Sequence, residues 1–529
     1  MVDSDVTPAQ TFHESTKLSY INLRTKPPLY KLYMDSPMIP LPADFPGPEA
    51  PTLEAVASVK IERPANIDLT AIAQLLFLSS GLIKKRAIPG LGEVHYRAAS
   101  SAGGLYPIEA YLVCQDVPGL EAGLYHFSPS NFALHRLRQG DYRGVVSKAA
   151  GSDEALSASS AIVIFTSIFA RSTWKYRARG YRYCLWDNGT MVANLLATAA
   201  AISVQAKLVT GFVDDWVNDL LGLERDKEAT FCLVGLGRST TKPVMKRNDP
   251  GPVKPRAREL PDGEAVYPEV SRLHDASSLA TDDEVTAWRG ALSPEKSTVQ
   301  GRLYPIEPLG SGVRTSKPLG DVISGRTSVR RFIREPMSLP QLSSLLDYST
   351  RGVNADFLGP DRSSLLDIYV VVNAVDGLPP GKYYYSPERR ALELLKEGDF
   401  RDDAGYLCFE QALGADASEV VFFMTNLGGV LDRYGSRGYR VAQLEAGILG
   451  GKLYLCAEAL NLGASGITFY DDDVTDFFSP HASGKSAMFV VTLGLQHPKN
   501  RVRPYRSRRA MVLDALARGA QDQVGATGR

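Results

Sequence analysis

At 529 residues and 44% hydrophobic side chains, the chain has material for two cores of ordinary domain size and no bias toward disorder. Its 59 Lys and Arg balance 59 Asp and Glu, so no net field draws it to nucleic acid or an anionic membrane surface. The polar start MVDSDVTPAQ does not read as a secretory signal, no apolar run reaches membrane-span length, and Cys114, Cys184, Cys232, Cys408 and Cys456 stand apart, which predicts buried reduced thiols in a cytoplasmic protein.

Residues 1–50, rich in proline and tyrosine, read as an extended arm. A first domain is expected over 51–240. It opens with a helix over 68–84, where Leu69, Ile72, Leu75 and Leu76 recur at helical spacing behind Asp68 as cap. Strands follow at Ala110–Cys114 and Ala161–Thr166, then a long helix around 184–204 and a last strand at Thr230–Gly235. The proline-bearing stretch 241–300 reads as a surface connector. A second domain over 301–500 repeats the order, with strands at Ile368–Val372 and Val420–Thr425, a long helix around 442–462 and a last strand at Ala487–Thr492. Residues 501–529 form a basic tail.

The repetition is visible in the residues. Gly123-Leu-Tyr125-His-Phe-Ser128-Pro129 returns as Gly381-Lys-Tyr383-Tyr-Tyr-Ser386-Pro387, Gly140-Asp141-Tyr-Arg143 as Gly398-Asp399-Phe-Arg401, and Gly180-Tyr181-Arg182 as Gly438-Tyr439-Arg440. All three pairs lie 258 positions apart (381−123, 398−140, 438−180). A constant offset over such a length marks a fused duplication. The fold expected is α+β: two like domains packed through their long helices as a pseudo-dimer within one chain, the small residues Ala193, Ala197 and Ala199–Ala201 allowing close approach.

Three clusters could carry chemistry. Arg326-Thr-Ser328-Val-Arg330 in an extended segment sets two guanidiniums and a hydroxyl on one side, an arrangement suited to a phosphate monoester. An offset of 270 places Val56, Ser58 and Lys60 opposite it in the first half, with the first arginine lost. Conversely, the small-residue loop Arg97-Ala-Ala-Ser100-Ser101-Ala-Gly103-Gly104-Leu-Tyr106-Pro107, which allows backbone to approach a planar ligand, has no double glycine at its counterpart around 358–365. Lys175-Tyr176 pairs a phenol with an ammonium that would favour its anion, making it a proton acceptor. At its counterpart, Arg433-Tyr434, arginine replaces lysine.

Together, Arg326-Thr-Ser328-Val-Arg330, the loop Ser100 to Pro107 and Lys175-Tyr176 with Arg179-Gly-Tyr-Arg182 resemble the nitroreductase-like flavoproteins, and within them the SagB-type dehydrogenases that aromatise thiazoline and oxazoline rings. The resemblance implies FMN at the interface of the two halves. It implies phosphate-side groups at Arg326, Ser328, Arg330, the turn Gly466-Ile-Thr468 and Lys499, Arg501 and Arg503, with Arg97, Ser100, Ser101 and Gly103 supplied from the other half. It also implies that Lys175 and Tyr176 carry the dehydrogenation, that the substrate is a peptide or carrier-bound small molecule, and that a cyclodehydratase complex is a partner. A nicotinamide-driven nitro- or quinone reductase of the same fold, and a flavin-less scaffold presenting a modified peptide, are the competing readings.

Overall fold

Residues 25–88, 92–244, 251–258, 267–290, 299–310, 316–359 and 363–500 are described by the computed structural model. Asp68 caps helix α1 (Leu69–Ser80), its carboxylate accepting from the Ala71 N–H at 2.8 Å. The helix stops four residues before the expected end, at Gly81, whose N–H closes on the Phe77 carbonyl as the chain turns extended.

The first sheet contains β1 (Met38–Pro40), β2 (Ile108–Cys114), β3 (Gly123–Ser128), β4 (Ala133–Gln139), β5 (Ala161–Ile168), β6 (Ala206–Val209) and β7 (Glu228–Leu236). Between β5 and β6 run α2 (Phe169–Tyr176) and α3 (Gly180–Ala201), and α4 (Asp214–Leu221) precedes β7. The connector supplies α5 (Pro268–Ala276) and α6 (Asp282–Trp288). The second half contributes β8 (Arg302–Pro305), α7 (Leu339–Ser349), β9 (Asp367–Val372), β10 (Gly381–Ser386), β11 (Ala391–Glu397), β12 (Glu419–Thr425), α8 (Leu427–Tyr434), α9 (Ser436–Ala459), β13 (Gly463–Ile467), α10 (Asp471–Phe478) and β14 (Ser486–Gly494). The sheets read β1-β4-β3-β2-β5-β7-β6 and β8-β11-β10-β9-β12-β14-β13, one order repeated. Even their irregularities repeat. Register shifts fall between Leu124 and Tyr125 and between Phe165 and Thr166, and again between Lys382 and Tyr383 and between Phe423 and Met424, all 258 positions on.

The strands read as unbroken apolar runs because both faces are covered. In β5, Val163 and Phe165 join the main core with α1 and α3, while Ile162 and Ile164 pack with Leu156, Val217 and Leu220 on the other side. The five cysteines are buried and free. Among the described residues no helix is long and apolar enough to cross a membrane.

The halves meet where α3 and α9 cross, backbone against backbone. A Cβ on Gly189 would lie 2.5 Å from the Gly447 carbonyl carbon, and one on Gly447 would lie 2.7 Å from the Trp186 carbonyl oxygen. These glycines are themselves 258 apart (447−189), so the pseudo-two-fold axis passes between them. One turn on, a Cβ on Gly451 would meet the Ala193 methyl at 2.8 Å. Gly447→Ala is therefore expected to push the helices apart at a cost of about 1–3 kcal/mol, visible as a lowered midpoint of thermal unfolding.

The connector departs from expectation. Val285, Trp288 and His274 are buried, so residues 267–290 are packed into the body rather than laid over it. At the other end, Met38–Pro40 pairs with β4 at the sheet edge, and Lys31 forms an ion pair with Glu228 at 2.6 Å.

Candidate active site

The Ser100–Tyr106 loop is fastened to α3 by a buried carboxylate. Ser101 Oγ donates to Asp187 Oδ2 at 2.5 Å and accepts from the Tyr106 N–H at 2.9 Å, while the Ala102 N–H donates to Asp187 Oδ1 at 3.0 Å. One turn along, Thr190 Oγ1 donates to the Ser100 carbonyl at 3.0 Å. Gly103 and Gly104 both sit at φ +64°, where a side chain is strained. The loop's tip faces the other predicted cluster, for a Cβ on Gly103 would lie 2.7 Å from Tyr176 Oη and 3.2 Å from Lys175 Nζ.

Asp187 was not foreseen. Its only signal in the sequence is an acid inside a run of apolar and small residues in α3. Burial pushes its carboxyl up to about 7, against the hydrogen bonds from Ser101 and Ala102 that lower it. A carboxyl raised on folding contributes stability that is fully present below its unfolded value and is lost as pH rises to about 7. Asp187→Asn is thus expected to flatten the fall in stability over that window, read by denaturant midpoints as a function of pH.

Tyr176 ends α2, half-buried, with its ring edge-on to Tyr183 at 4.4 Å and Lys175 Nζ 5.0 Å from its centroid. The expected acidification by Lys175 is not what this geometry yields. Burial, then Tyr183 and Asp187, push the phenol well above its ordinary range, and Arg330 from the second half pulls the other way. Tyr183 Oη donates to Thr468 Oγ1 at 3.0 Å, joining the first half to the turn after β13.

From the second half, Arg326 caps the 319–325 helix and is buried. Its Nη2 donates across the interface to the Ala98 carbonyl at 3.2 Å, its guanidinium lies 5.1 Å from the Tyr454 ring, and its Nη1 is buried without a partner among the described residues. The Tyr454 hydroxyl in turn accepts from the Gly466 N–H. Ser328 is half-buried, and Val329 fixes the segment through its N–H to the Ala464 carbonyl. Arg330 and Lys499 are exposed, and Asn500 accepts from the Arg330 N–H at 2.5 Å. Arg501 and Arg503 lie outside the described residues. Arg97 does not join this group. Its guanidinium donates to the Leu29 and Ile108 carbonyls at 2.6 and 3.3 Å and is flanked by Tyr30 and Tyr106, so it ties down the arm.

The pseudo-symmetric cleft is filled by the chain itself. Tyr434, counterpart of Tyr176, shares its hydroxyl proton between the Gly290 and Phe357 carbonyls at 2.8 and 2.9 Å, and Arg433 donates to the Arg289 carbonyl at 2.6 Å. The Trp288 indole packs 5.3 Å from Tyr434, so close to the backbone that a Cβ on Gly211 would lie 2.8 Å from it. Thr210, counterpart of Thr468, gives its N–H and hydroxyl to the Asp356 carboxylate at 2.9 and 3.0 Å, and the Gly211 N–H adds a third bond at 2.8 Å. This plugging is why the connector is buried. The helix caps also correct the register between halves. Pro318 and Arg326 match Pro51 and Ser58, offsets of 267 and 268, so Ser58 and not Val56 stands opposite Arg326. Around Ser58, Val59, Gly352 and Lys452 only about 30 Å³ remains, room for a water, and Lys452 Nζ closes it with a 2.7 Å bond to the Gly352 carbonyl.

The sequence model of the nitroreductase family matches residues 62–238 and again 323–494. MJ1384 of Methanocaldococcus jannaschii, named as a nitroreductase, is 31% identical over 165 residues, 30% of this chain and 82% of that protein. The microcin B17-processing protein McbC of Escherichia coli is 29% identical over 161 residues, 30% of this chain and 59% of McbC's own length. A crystal structure from Anabaena variabilis, named as a nitroreductase, is 26% identical with a TM-score of 0.71, covering 92% of this chain and 99% of that one. Matched once in each half and superimposing over nearly its whole length, the chain belongs to the nitroreductase family of oxidoreductases and carries the family's domain twice.

Proposed function

We propose that the chain is an FMN-dependent dehydrogenase that oxidises azoline rings, thiazoline or oxazoline to azole, in a peptide or carrier-bound natural product. The observation that carries this reading is one cluster of groups furnished from both halves, with Arg326 reaching the base of the loop whose tip meets Tyr176, opposite an equivalent place that the chain fills itself. The residues fit the cofactor: a buried guanidinium with an unpartnered N–H at Arg326 matches an anionic phosphate, and a loop with two left-handed glycines admits a planar ring close to backbone. Arg326, Ser328, Arg330, the turn at Gly466–Thr468 and Lys499 would hold the phosphate side, and the Ser100–Gly103 loop the ring side. Bound there, FMN supplies the acceptor for a hydride equivalent.

The protein's own residues then have separate tasks. Asp187 fixes the loop. Tyr183, bonded to Thr468 and edge-on to Tyr176, holds the phenol in place. Tyr176 Oη receives the carbon-bound proton. A phenol held high by burial is rarely ionised at neutral pH, but once ionised it is a strong base toward a weakly acidic C–H. The similarity to McbC, named as a microcin B17-processing protein, supports a peptide substrate, and an azoline substrate calls for a cyclodehydratase that makes the ring.

The test is anaerobic. A synthetic thiazoline peptide should bleach one flavin per chain of the purified protein and leave a thiazole. Bleaching by NAD(P)H but not by the peptide would instead make it a reductase, and a colourless protein would make it a scaffold.

A further inference from the structure

Beside the candidate site lies an open groove of about 460 Å³, walled by Arg182, Leu427, Tyr439, Asp471, Thr475 and Lys485. Its pseudo-symmetric counterpart, at Arg440, Phe169, Tyr181 and Asp214, is closed by the connector. There His274 packs its ring 5.3 Å from Phe169 and 6.2 Å from Tyr181, with Nδ1 3.2 Å from Tyr181 Oη. Asp214 grips the backbone of the same segment twice: the Leu279 N–H donates to its carboxylate at 3.0 Å, and its own N–H donates to the Leu279 carbonyl at 3.1 Å. Arg437 Nη1 donates to the Ser277 carbonyl at 2.9 Å. Nine positions after Leu279 (288−279), the same connector lays Trp288 on Tyr434.

We propose that the open groove docks the segment of a peptide substrate that precedes its reacting ring, the peptide following on the active side the path that the connector takes on the closed one. This rests on the reading of the site given above. The matching groups are in place without a guest. Arg179, counterpart of Arg437, has Nε and Nη2 buried without partners among the described residues; on the closed side the Arg437 Nε is bonded to the Thr210 carbonyl, its Nη1 reaches the connector's Ser277 carbonyl, and its Nη2 is unpartnered as well. Asp471, which opens α10 as Asp214 opens α4 at a spacing one short of 258, makes ion pairs with Arg179 and Arg182, and its N–H takes no partner among the described residues. A second cavity of about 260 Å³ shares Arg182 and Tyr439 with the groove, so an extended segment can continue toward α5. The outer wall differs in charge. On the closed side Arg225 pairs with Asp215 and Asp219, whereas their counterparts Asp472 and Asp476 make no ion pair among the described residues. The groove therefore favours a segment carrying a basic residue.

The probe is a fluorescently labelled synthetic peptide with the connector's own sequence, Ser271–Thr281, titrated onto the flavin-loaded full chain by anisotropy. Saturable binding is expected. Leu427→Trp and Thr475→Trp, which narrow the groove from different walls, should each weaken it by about tenfold or more while flavin content and near-ultraviolet circular dichroism hold. A thiazoline peptide whose ring is preceded by a segment as long as that between His274 and Trp288 should likewise show a lower KM than the bare ring amide, with the advantage lost in both variants. Absence of saturable binding, or equal binding by both variants, overturns the proposal. So does binding that appears only after removal of residues 501–529, since the groove would then belong to this chain's own tail. If the azoline reading fails instead, the long peptide still binds and competes with the probe but bleaches no flavin.

Discussion

Arg326→Ala is expected to strip most of the flavin from the purified protein, with the fold intact. The guanidinium is buried, stacked near Tyr454 and bonded to one carbonyl across the interface, which leaves Nη1 with no partner among the described residues. Burial lowers its pKa, so the site disfavours the bare cation and gains from an anion that restores its pairing. A hydrogen bond to a charged group contributes about 1.5–3 kcal/mol, a loss of roughly 10–100-fold in FMN affinity on truncation. Ser58→Ala and Lys60→Ala, at the corresponding place in the first half, should leave flavin content unchanged, because the cleft there has closed to about 30 Å³. The measurement is flavin released per chain after gel filtration. A stoichiometry of two, or full retention by Arg326→Ala, would refute the single shared cleft.

The duplicated α+β fold was legible because its evidence is periodic. One offset of 258 recurs through strands, bulges and the Gly189–Gly447 crossing, and apolar runs of the right length mark buried strands without tertiary information. The convergence of the Ser100–Gly103 loop on Lys175-Tyr176 and of Arg326 on that loop's base followed from which half had kept which motif. What the residues could not display was burial. Lys175 beside Tyr176 suggests an acidified phenol, yet the desolvation felt by that phenol depends on Tyr183 and the loop folded over it. The connector looked like surface because proline-rich stretches usually are, and nothing local says that Trp288 packs against Tyr434. Arg97 was misread for the same reason, since its partners are carbonyls, and a carbonyl leaves no mark in the sequence. The 270 offset failed because it was taken from α1 and α7 and carried across a segment where the spacing is 267 to 268.

Tyr176→Phe should keep flavin and fold while turnover falls about 10²–10⁴-fold, the usual loss when a positioned base is removed. The pH dependence makes the test specific. Because burial holds the phenol well above its ordinary range, only a small fraction is ionised at neutral pH, and that fraction grows about tenfold per pH unit. Single-turnover flavin bleaching by a thiazoline peptide should therefore climb with pH through the neutral and mildly alkaline range without a plateau, and the slope should vanish in the phenylalanine variant. A flat profile in the unsubstituted protein would mean that Tyr176 works as a hydrogen-bond donor with its proton in place, and the base would have to be sought elsewhere. Lys175→Ala should slow turnover less, since the ammonium is exposed and sits over the ring face rather than at the hydroxyl. Tyr434→Phe supplies the control. It removes the buried hydroxyl whose proton is shared between the Gly290 and Phe357 carbonyls and should lower stability by about 1–3 kcal/mol, yet leave the bleaching rate unchanged. Two tyrosines at equivalent places in one duplicated fold would then separate cleanly, one by rate and the other by stability, as they must if one cleft reacts and the other is packed shut.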